Sequence, residues 1–346
     1  MTKDMAGKER RTIIVTGAAG FIGAALCERL AFLDYEVLGI DNLNNYYDRD
    51  LKFGRLEKLG FLREYSKQKG ALLKSPSLPS LYFENADITE RRSMSRIFRQ
   101  WHPEVVVNLA AQAGVRYSLQ NPYSYTKNNV DGFLVMLECA RQHPLRRFVY
   151  ASSSSVYGEN TKVPFSETDP VEEPVSLYAA TKRSNELMAR TYRHLYGVPA
   201  IGLRFFTVYG PWGRPDMAPM LFASAISEGR PINVFNDGHM SRDFTYIDDI
   251  INGIVKVIEG DSEVTSDNDI LNIGHGSPTS LLDFISILEK ALGKEARKEF
   301  LPMQKGDVHT TFADTGRLER LYGYRPATDL KDGIARFVEW FKEYKL

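Results

Sequence analysis

Tyr178 and Lys182 stand four residues apart in Tyr-Ala-Ala-Thr-Lys, inside a stretch whose helical periodicity runs on to Leu195. At that spacing both side chains leave the same helix face, one turn apart. A tyrosine ordinarily keeps its proton to about pH 10 and is a poor base at neutral pH. A neighbouring ammonium favours the phenolate and lowers that value. The pair is thus suited to taking a proton from a substrate hydroxyl. Such pairs also arise by chance on exposed helices, but this one follows a serine run, Ser152 to Ser155, at the end of an expected strand. Ser153 can hydrogen-bond the same reacting hydroxyl and completes the candidate catalytic set.

A second cluster is glycine-rich. Gly17, Gly20 and Gly23 lie in Thr-Gly-Ala-Ala-Gly-Phe-Ile-Gly, with Phe21 and Ile22 opening a helix. Glycines at this spacing allow a tight turn, close approach of the backbone to a pyrophosphate, and close helix-to-sheet packing. The helix N-terminus adds oriented N–H groups and the positive end of its dipole. Alone, the motif marks only a turn. Asp41 strengthens it, because it ends the next strand at about the distance of an acid that accepts ribose hydroxyls. Asn42 follows, not an arginine that could neutralise a 2′-phosphate, so the expected cofactor is NAD and not NADP. Bound there, its positive nicotinamide ring would also favour the Tyr178 phenolate.

These residues need a scaffold that presents strand ends. Thr12–Val15, Glu36–Ile40, Val105–Leu109 and Arg147–Tyr150 read as buried parallel strands, each separated from the next by a helix-length segment. The alternation implies an α/β fold, a Rossmann-type doubly wound parallel sheet. Residues 51–79 interrupt the rhythm and read as a surface excursion. From Phe205 the pattern changes to shorter strands, Ile232–Phe235 and Arg242–Thr245, with a helix over Leu281–Leu292. The expected division is a dinucleotide-binding domain over 1–204 and a smaller C-terminal substrate-binding lobe over 205–346. A helix near 244–258 should return to the first domain.

Bulk properties narrow the function classes. The 346 residues are 43% hydrophobic and 25% charged, ordinary for a globular enzyme, and can bury one large core with an attached lobe. Lys plus Arg and Asp plus Glu are each 44, so no net field attracts nucleic acid or an anionic membrane. Cys27 and Cys139 sit in apolar helical patterns without metal-ligand spacing and read as buried thiols, so no metal is expected. That usage suits the cytoplasm. The charged Met1–Arg11 stretch runs straight into a strand, so no signal peptide is expected, and the apolar runs are strand-sized, so no membrane span is either.

The Gly17 motif, Asp41, Asp87-Ile88, Leu109-Ala110-Ala111-Gln112, Asn128-Asn129-Val130-Asp131-Gly132, the serine run and the Tyr178/Lys182 pair together resemble extended short-chain dehydrogenase/reductases acting on nucleotide sugars. Within that group the sequence is similar, over nearly its whole length, to UDP-glucuronate 4-epimerases. That similarity includes residues 41–48, 114–118, 150–158, 203–217, 242–249 and 303–308. The resemblance implies that Asp87, Ile88, Leu109, Ala110, Ala111, Asn128 and Phe205 also line the NAD site. It implies that Ser153, Ser154, Ser155, Thr207, Arg214, Arg242 and Asp307 face a UDP-sugar. The implied reaction interconverts UDP-glucuronate and UDP-galacturonate. Oxidation at carbon 4 is followed by rotation of the 4-keto sugar and re-reduction on its other face. A homodimer, formed through the helical segments 122–141 and 178–195, is implied as well. The alternative is a 4-epimerase of another UDP-sugar, UDP-glucose or an N-acetylated one.

Two local features bear on that choice. Related dehydratases carry an Asp-Glu pair just before Val-Tyr-Gly, and decarboxylating relatives a Glu, where this chain has Ser154 and Ser155. Without a carboxylic acid, neither water elimination nor proton delivery to carbon 5 has its usual catalyst. A uronic acid oxidised at carbon 4 is a β-keto acid, prone to lose carbon dioxide, so its carboxylate must be held. Thr207, Ser154, Ser155 and Arg214 are the groups available for that hold, and a planar guanidinium suits a carboxylate bidentately. Arg116 reads equally as a structural ion-pair partner, and Arg204, inside a strand, as structural. Gln304 stands where the wider family often has Arg, which leaves more of the diphosphate to Arg242. His275 reads as a loop histidine and not as a general base.

Overall fold

The computed structural model describes residues 11–33, 35–261, 263–303 and 308–345. Seven strands are labelled here: β1 (Thr12–Thr16), β2 (Glu36–Asp41), β3 (Leu72–Lys74), β4 (Leu81–Asn85), β5 (Val105–Asn108), β6 (Arg147–Ser153) and β7 (Ala200–Phe205). With Ile270–Ile273 they form an eight-stranded sheet in the order Ile270–Ile273, β7, β6, β5, β1, β2, β4, β3. The pairings of β1 with β2 and β5, of β2 with β4, and of β5 with β6 are parallel, while β3 runs antiparallel on β4 at the edge. The sheet is thus the doubly wound one expected, and β1 lies at its switch point. In such sheets the crevice outside the strand C-termini is where ligands bind.

Ile13, Ile14, Val15, Val37, Leu38, Val106, Val107, Phe148 and Val149 are all fully buried. A parallel sheet covered on both faces requires such unbroken apolar runs. The helix Arg91–Trp101 shows the complementary pattern: Met94, Ile97 and Phe98 form its buried stripe while its arginines stay outside. The excursion at 51–79 holds the helix Arg49–Lys58, a short helix and β3, an edge strand of three residues that is too short for its period to register in the sequence.

The chain divides into two compact units. One comprises Met1–Ser152, Leu177–Leu203 and Ile254–Ile270; the other Ser153–Ser176, Arg204–Gly253 and Leu271–Leu346. The division falls at Leu203/Arg204, beside the expected 204/205, and two segments are placed differently from a simple cut there. Residues 153–176 join the second unit, and the returning segment is Ile254–Ile270; Ser241–Tyr246 is a strand, so the helix expected near 244–258 starts only at Ile247. The physical reason for the first difference is a small apolar cluster. Val156, Tyr157, Phe165 and Val171 pack with Phe206 and Ala313, and Phe165 exchanges backbone hydrogen bonds with Phe312 and Asp314.

In the second unit Ser241–Tyr246 pairs in parallel with Thr207–Tyr209 and Thr310–Thr311, and antiparallel with Pro278–Ser280. The fully buried Asp243 carboxylate ties these segments together. It accepts from the backbone N–H groups of His275, Gly276 and Ala313 and from the Thr245 hydroxyl. His275 is a loop residue there, as expected.

Candidate active site

Beyond β1 the chain turns at Gly17, whose φ of 73° lies in the left-handed region. A Cβ on Gly17 would meet Ala110 N at 3.0 Å, and one on Gly23 would meet Gly17 O at 2.1 Å. Any side chain at Gly23 would therefore close the turn. Gly20 caps the helix Phe21–Phe32 without a side chain, and the first turn of that helix carries no acid. Backbone donors at a positive helix end, kept clear of side chains, are what a dinucleotide pyrophosphate requires. Thr16 Oγ1 locks the neighbouring strand end, donating to Asn108 Oδ1 (2.7 Å) and accepting from Ala110 N (3.1 Å) in the Leu109–Ala111 turn.

Asp41, at the end of β2, is buried and accepts from Ala19 N (3.2 Å) and Leu43 N (2.8 Å). It organises the turn as well as presenting a carboxylate. Buried Lys52 approaches it at 3.4 Å and donates to Asn44 at 3.1 Å. Asn42 donates to Asp87 at 2.9 Å, and Ile88 is buried against Gly132. Burial works to raise the Asp87 carboxyl, but hydrogen bonds from Asn42 and Thr89 outweigh it and hold the group below its ordinary value.

Tyr178 and Lys182 lie on the helix Leu177–Tyr196, with the Lys182 Nζ 6.0 Å from the centre of the Tyr178 ring. Lys182 is almost fully buried and donates to Ala151 O at 2.7 Å. Burial brings its pKa down to about 8, against the opposing influence of Glu186. The Tyr125 ring meets Tyr178 edge-on, and the Tyr125 hydroxyl donates to Ala113 O at 2.8 Å. Tyr178 is half-buried.

Asn129 belongs to a run that carries the resemblance, but nothing in the sequence assigned it a role of its own. It sits in a π-helical turn, Thr126–Asp131, and its side chain binds Gln112 N, Gln112 O and the Thr181 hydroxyl at 2.7, 3.0 and 3.0 Å. Thr181 in turn donates to Tyr178 O at 2.8 Å. A regular helix through this region would have aimed a different residue inward, so helical periodicity gave no signal for it. Asn128, its neighbour, donates to Ser124 O.

The remaining candidates lie in the second unit. Ser153 Oγ accepts from Ser155 N (3.2 Å) and donates to Ser155 Oγ (3.1 Å), which fixes the short 3₁₀ turn Ser154–Tyr157. Phe205 is buried and Thr207 half-buried. The Arg214 guanidinium forms a fork with Asp216, Nε to Oδ1 at 3.0 Å. Arg242 donates from one nitrogen to Ser241 O and His309 O. Arg204 is buried over the Tyr157 ring at 4.7 Å, the structural role expected of it. Asp307 and Gln304 lie outside the described residues. Cys27 and Cys139 are buried free thiols; burial pushes the Cys139 thiol up to about 11. Among the described residues no cluster could hold a metal ion, and no helix is long and apolar enough to cross a membrane.

Fold and cradle together define a Rossmann-type nucleotide-binding protein that carries a tyrosine one helical turn from a buried lysine. The chain belongs to the NAD dependent epimerase/dehydratase family, whose model matches residues 13–274. A probable UDP-glucuronate 4-epimerase of Rhizobium meliloti (strain 1021) is 42% identical over 345 residues, covering 95% of this chain and 96% of the relative. Among solved structures, UDP-glucuronic acid 4-epimerase from Bacillus cereus, in complex with UDP-glucuronic acid and NAD, matches with a TM-score of 0.85 and 35% identity. The match covers 96% of this chain and 99% of that one. The UDP-glucose 4-epimerase of Thermotoga maritima, with UDP-glucose, matches at 0.84 and 29% identity over 97% and 100% of the two chains.

Proposed function

We propose that this protein interconverts UDP-glucuronate and UDP-galacturonate by reversible, NAD-dependent oxidation at sugar carbon 4. The observation that carries the reading is the pairing of Tyr178 with a buried Lys182 beyond a glycine cradle that a single Cβ would fill. Full-length similarity to UDP-glucuronate 4-epimerases supports the choice of sugar. When bound, NAD supplies the two-electron acceptor that carbon 4 reduces and from which it is reduced again.

Gly17, Gly20 and Gly23 leave room for its pyrophosphate, with Phe21 and Ile22 in the helix behind. Asp41 takes the ribose hydroxyls; Asn42, Asp87, Ile88, Leu109, Ala110, Ala111, Asn128 and Phe205 complete the cofactor set. Tyr178 removes the carbon 4 hydroxyl proton and returns it after the 4-keto sugar has turned about its diphosphate linkage. Lys182 favours the phenolate, and Ser153 hydrogen-bonds the reacting oxygen. Ser154, Ser155 and Thr207 offer hydroxyls to the carboxylate. With serines at 154 and 155, that turn holds no acid able to carry the ketone on to elimination. Arg242, together with Asp307, serves the nucleotide end. Arg214 reaches the carboxylate by sharing its fork with Asp216 or exchanging it.

The reading includes a cytoplasmic homodimer. The helices on either side of the π-turn and the helix Leu177–Tyr196 leave Tyr123, Leu187 and Leu195 at 82%, 50% and 59% exposure, apolar area of the kind a two-fold helix pairing covers. The deciding experiment is incubation of purified protein with UDP-glucuronate and no added cofactor, followed by sugar analysis. UDP-galacturonate should form without net NADH. A preference for UDP-glucose, or a requirement for added NADP, would overturn the reading.

A further inference from the structure

The helix that carries Tyr178 and Lys182 places a third ionisable group at the same spacing. Tyr178, Lys182 and Glu186 recur every four residues and share one face over two turns. Glu186 is 3% exposed, as enclosed as Lys182 at 4%. Its Oε1 accepts from Ser152 Oγ at 2.6 Å and its Oε2 meets Arg183 Nη1 at 3.1 Å. Ser152 is the residue after Ala151, whose carbonyl receives the Lys182 ammonium. The end of β6 is therefore gripped twice from one helix, by Lys182 at residue 151 and by Glu186 at residue 152.

We propose that Glu186 is a positioning residue for the reaction, holding the Ala151–Ser152 strand end through its hydrogen bond and keeping the buried Lys182 protonated through its charge. The proposal rests on the roles given above to Tyr178 and Lys182. A buried ammonium whose one acceptor among the described residues is a neutral carbonyl is poorly supported in its charged form. Burial is the larger influence on Lys182 and acts to neutralise it, and the Glu186 carboxylate is the charge that opposes this.

Among the described residues the surroundings offer no substitute. The segments packed on this helix, Tyr117–Gln120, Pro122–Tyr125, Thr126–Asp131 and Gly132–Gln142, bring Lys127, Asp131 and Arg141, which are exposed, and Glu138, which is bound to Arg141 and Tyr192. Their tyrosines are Tyr117, Tyr123 and Tyr125, of which Tyr125 meets Tyr178. Further along the helix itself Arg190 and Arg193 are turned to Asp269. Strand β6 presents Ala151 and Ser152 here, neither of which ionises.

The test reads Lys182 directly. Protein with bound NAD is labelled with ¹³C at the lysine ε-carbons, and the Lys182 resonance is assigned with Lys182→Arg and titrated without substrate. Glu186→Gln keeps an oxygen for Ser152 but removes the charge, so the Lys182 midpoint should fall by roughly one pH unit or more. The high-pH limb of kcat/KM should move down by the same amount. Glu186→Asp, which retains the charge at a greater distance, should give an intermediate midpoint and serves if the glutamine variant does not fold. An unchanged Lys182 midpoint in a folded variant of either kind overturns the proposal. Because the midpoint is read without turnover, it fails or stands separately from the assignment of the sugar.

Discussion

The region proposed for the cofactor, in the first unit, and the region proposed for the sugar, in the second, are built from different materials. Around Gly17 the working surface is backbone, and its shape is set by what is missing: no Cβ at Gly17 or Gly23, no capping side chain at Gly20. Around Ser153, Arg214 and Arg242 the working surface is side chains that already have partners, Ser155, Asp216 and backbone carbonyls. A surface made of backbone cannot be retuned by small changes, whereas one made of mutually engaged side chains can exchange partners. The first suits an invariant cofactor and the second a sugar that must turn over between two faces.

The sharpest way to probe this contrast begins with the proposed chemistry. Tyr178→Phe should keep NAD and substrate while losing roughly two to four orders of magnitude in turnover. Near-normal turnover in the folded variant would remove Tyr178 from the mechanism. Gly23→Ala is the test of the backbone half. Its Cβ has nowhere to go at 2.1 Å from Gly17 O, so the protein should purify without NAD and lose about 1–3 kcal/mol of stability, as other overpacked sites do. A variant with normal cofactor content would show that the cradle is not rigid.

Asp41→Asn should act more mildly. It retains an acceptor for Leu43 N but removes the negative charge, so binding assays should show NAD weakened and the gap to NADP narrowed, by roughly tenfold. An unaltered preference would place selection elsewhere, with Lys52 the nearest charged group. The smallest effect is expected in the side-chain half. Asp216→Ala releases the Arg214 fork, and KM for UDP-glucuronate should fall roughly two- to fivefold with no change for UDP-glucose. A rise in KM would mean that the Arg214–Asp216 pair is there to hold the loop, and that the carboxylate is gripped by hydroxyls alone. The companion variant Arg214→Ala should release some decarboxylated UDP-pentose, visible by mass spectrometry.

The same contrast explains what could be read from the sequence. Glycines at fixed spacing, an acid at a strand end and a Tyr-Lys pair one turn apart are local patterns, and the doubly wound sheet follows from equally local apolar runs. The groups that escaped notice act over long sequence separations. Asn129 reaches Gln112 and Thr181, and Glu186 reaches Ser152; in sequence each looks like an ordinary polar helix residue. The excursion of residues 153–176 into the second unit escaped for the same reason, since its anchor, Phe165 beside Ala313, joins distant segments. Asp216, two residues from Arg214, was within local reach; the fork forms because both are at the same loop, which residue spacing alone does not announce.

The π-turn at Thr126–Asp131 has a meaning for the length of the chain. A π-bulge takes in one residue beyond what α-helical winding needs, while the helical turns before and after it keep their facing. The helix across 122–142 therefore carries a surplus residue, and shortening it by one at Val130 would let it wind evenly without rotating Tyr125 or Phe133 away from their packing. What such a shortened chain would forfeit is the clasp between Asn129 and Gln112: a molecule that still winds correctly, with the loop after β5 cut loose.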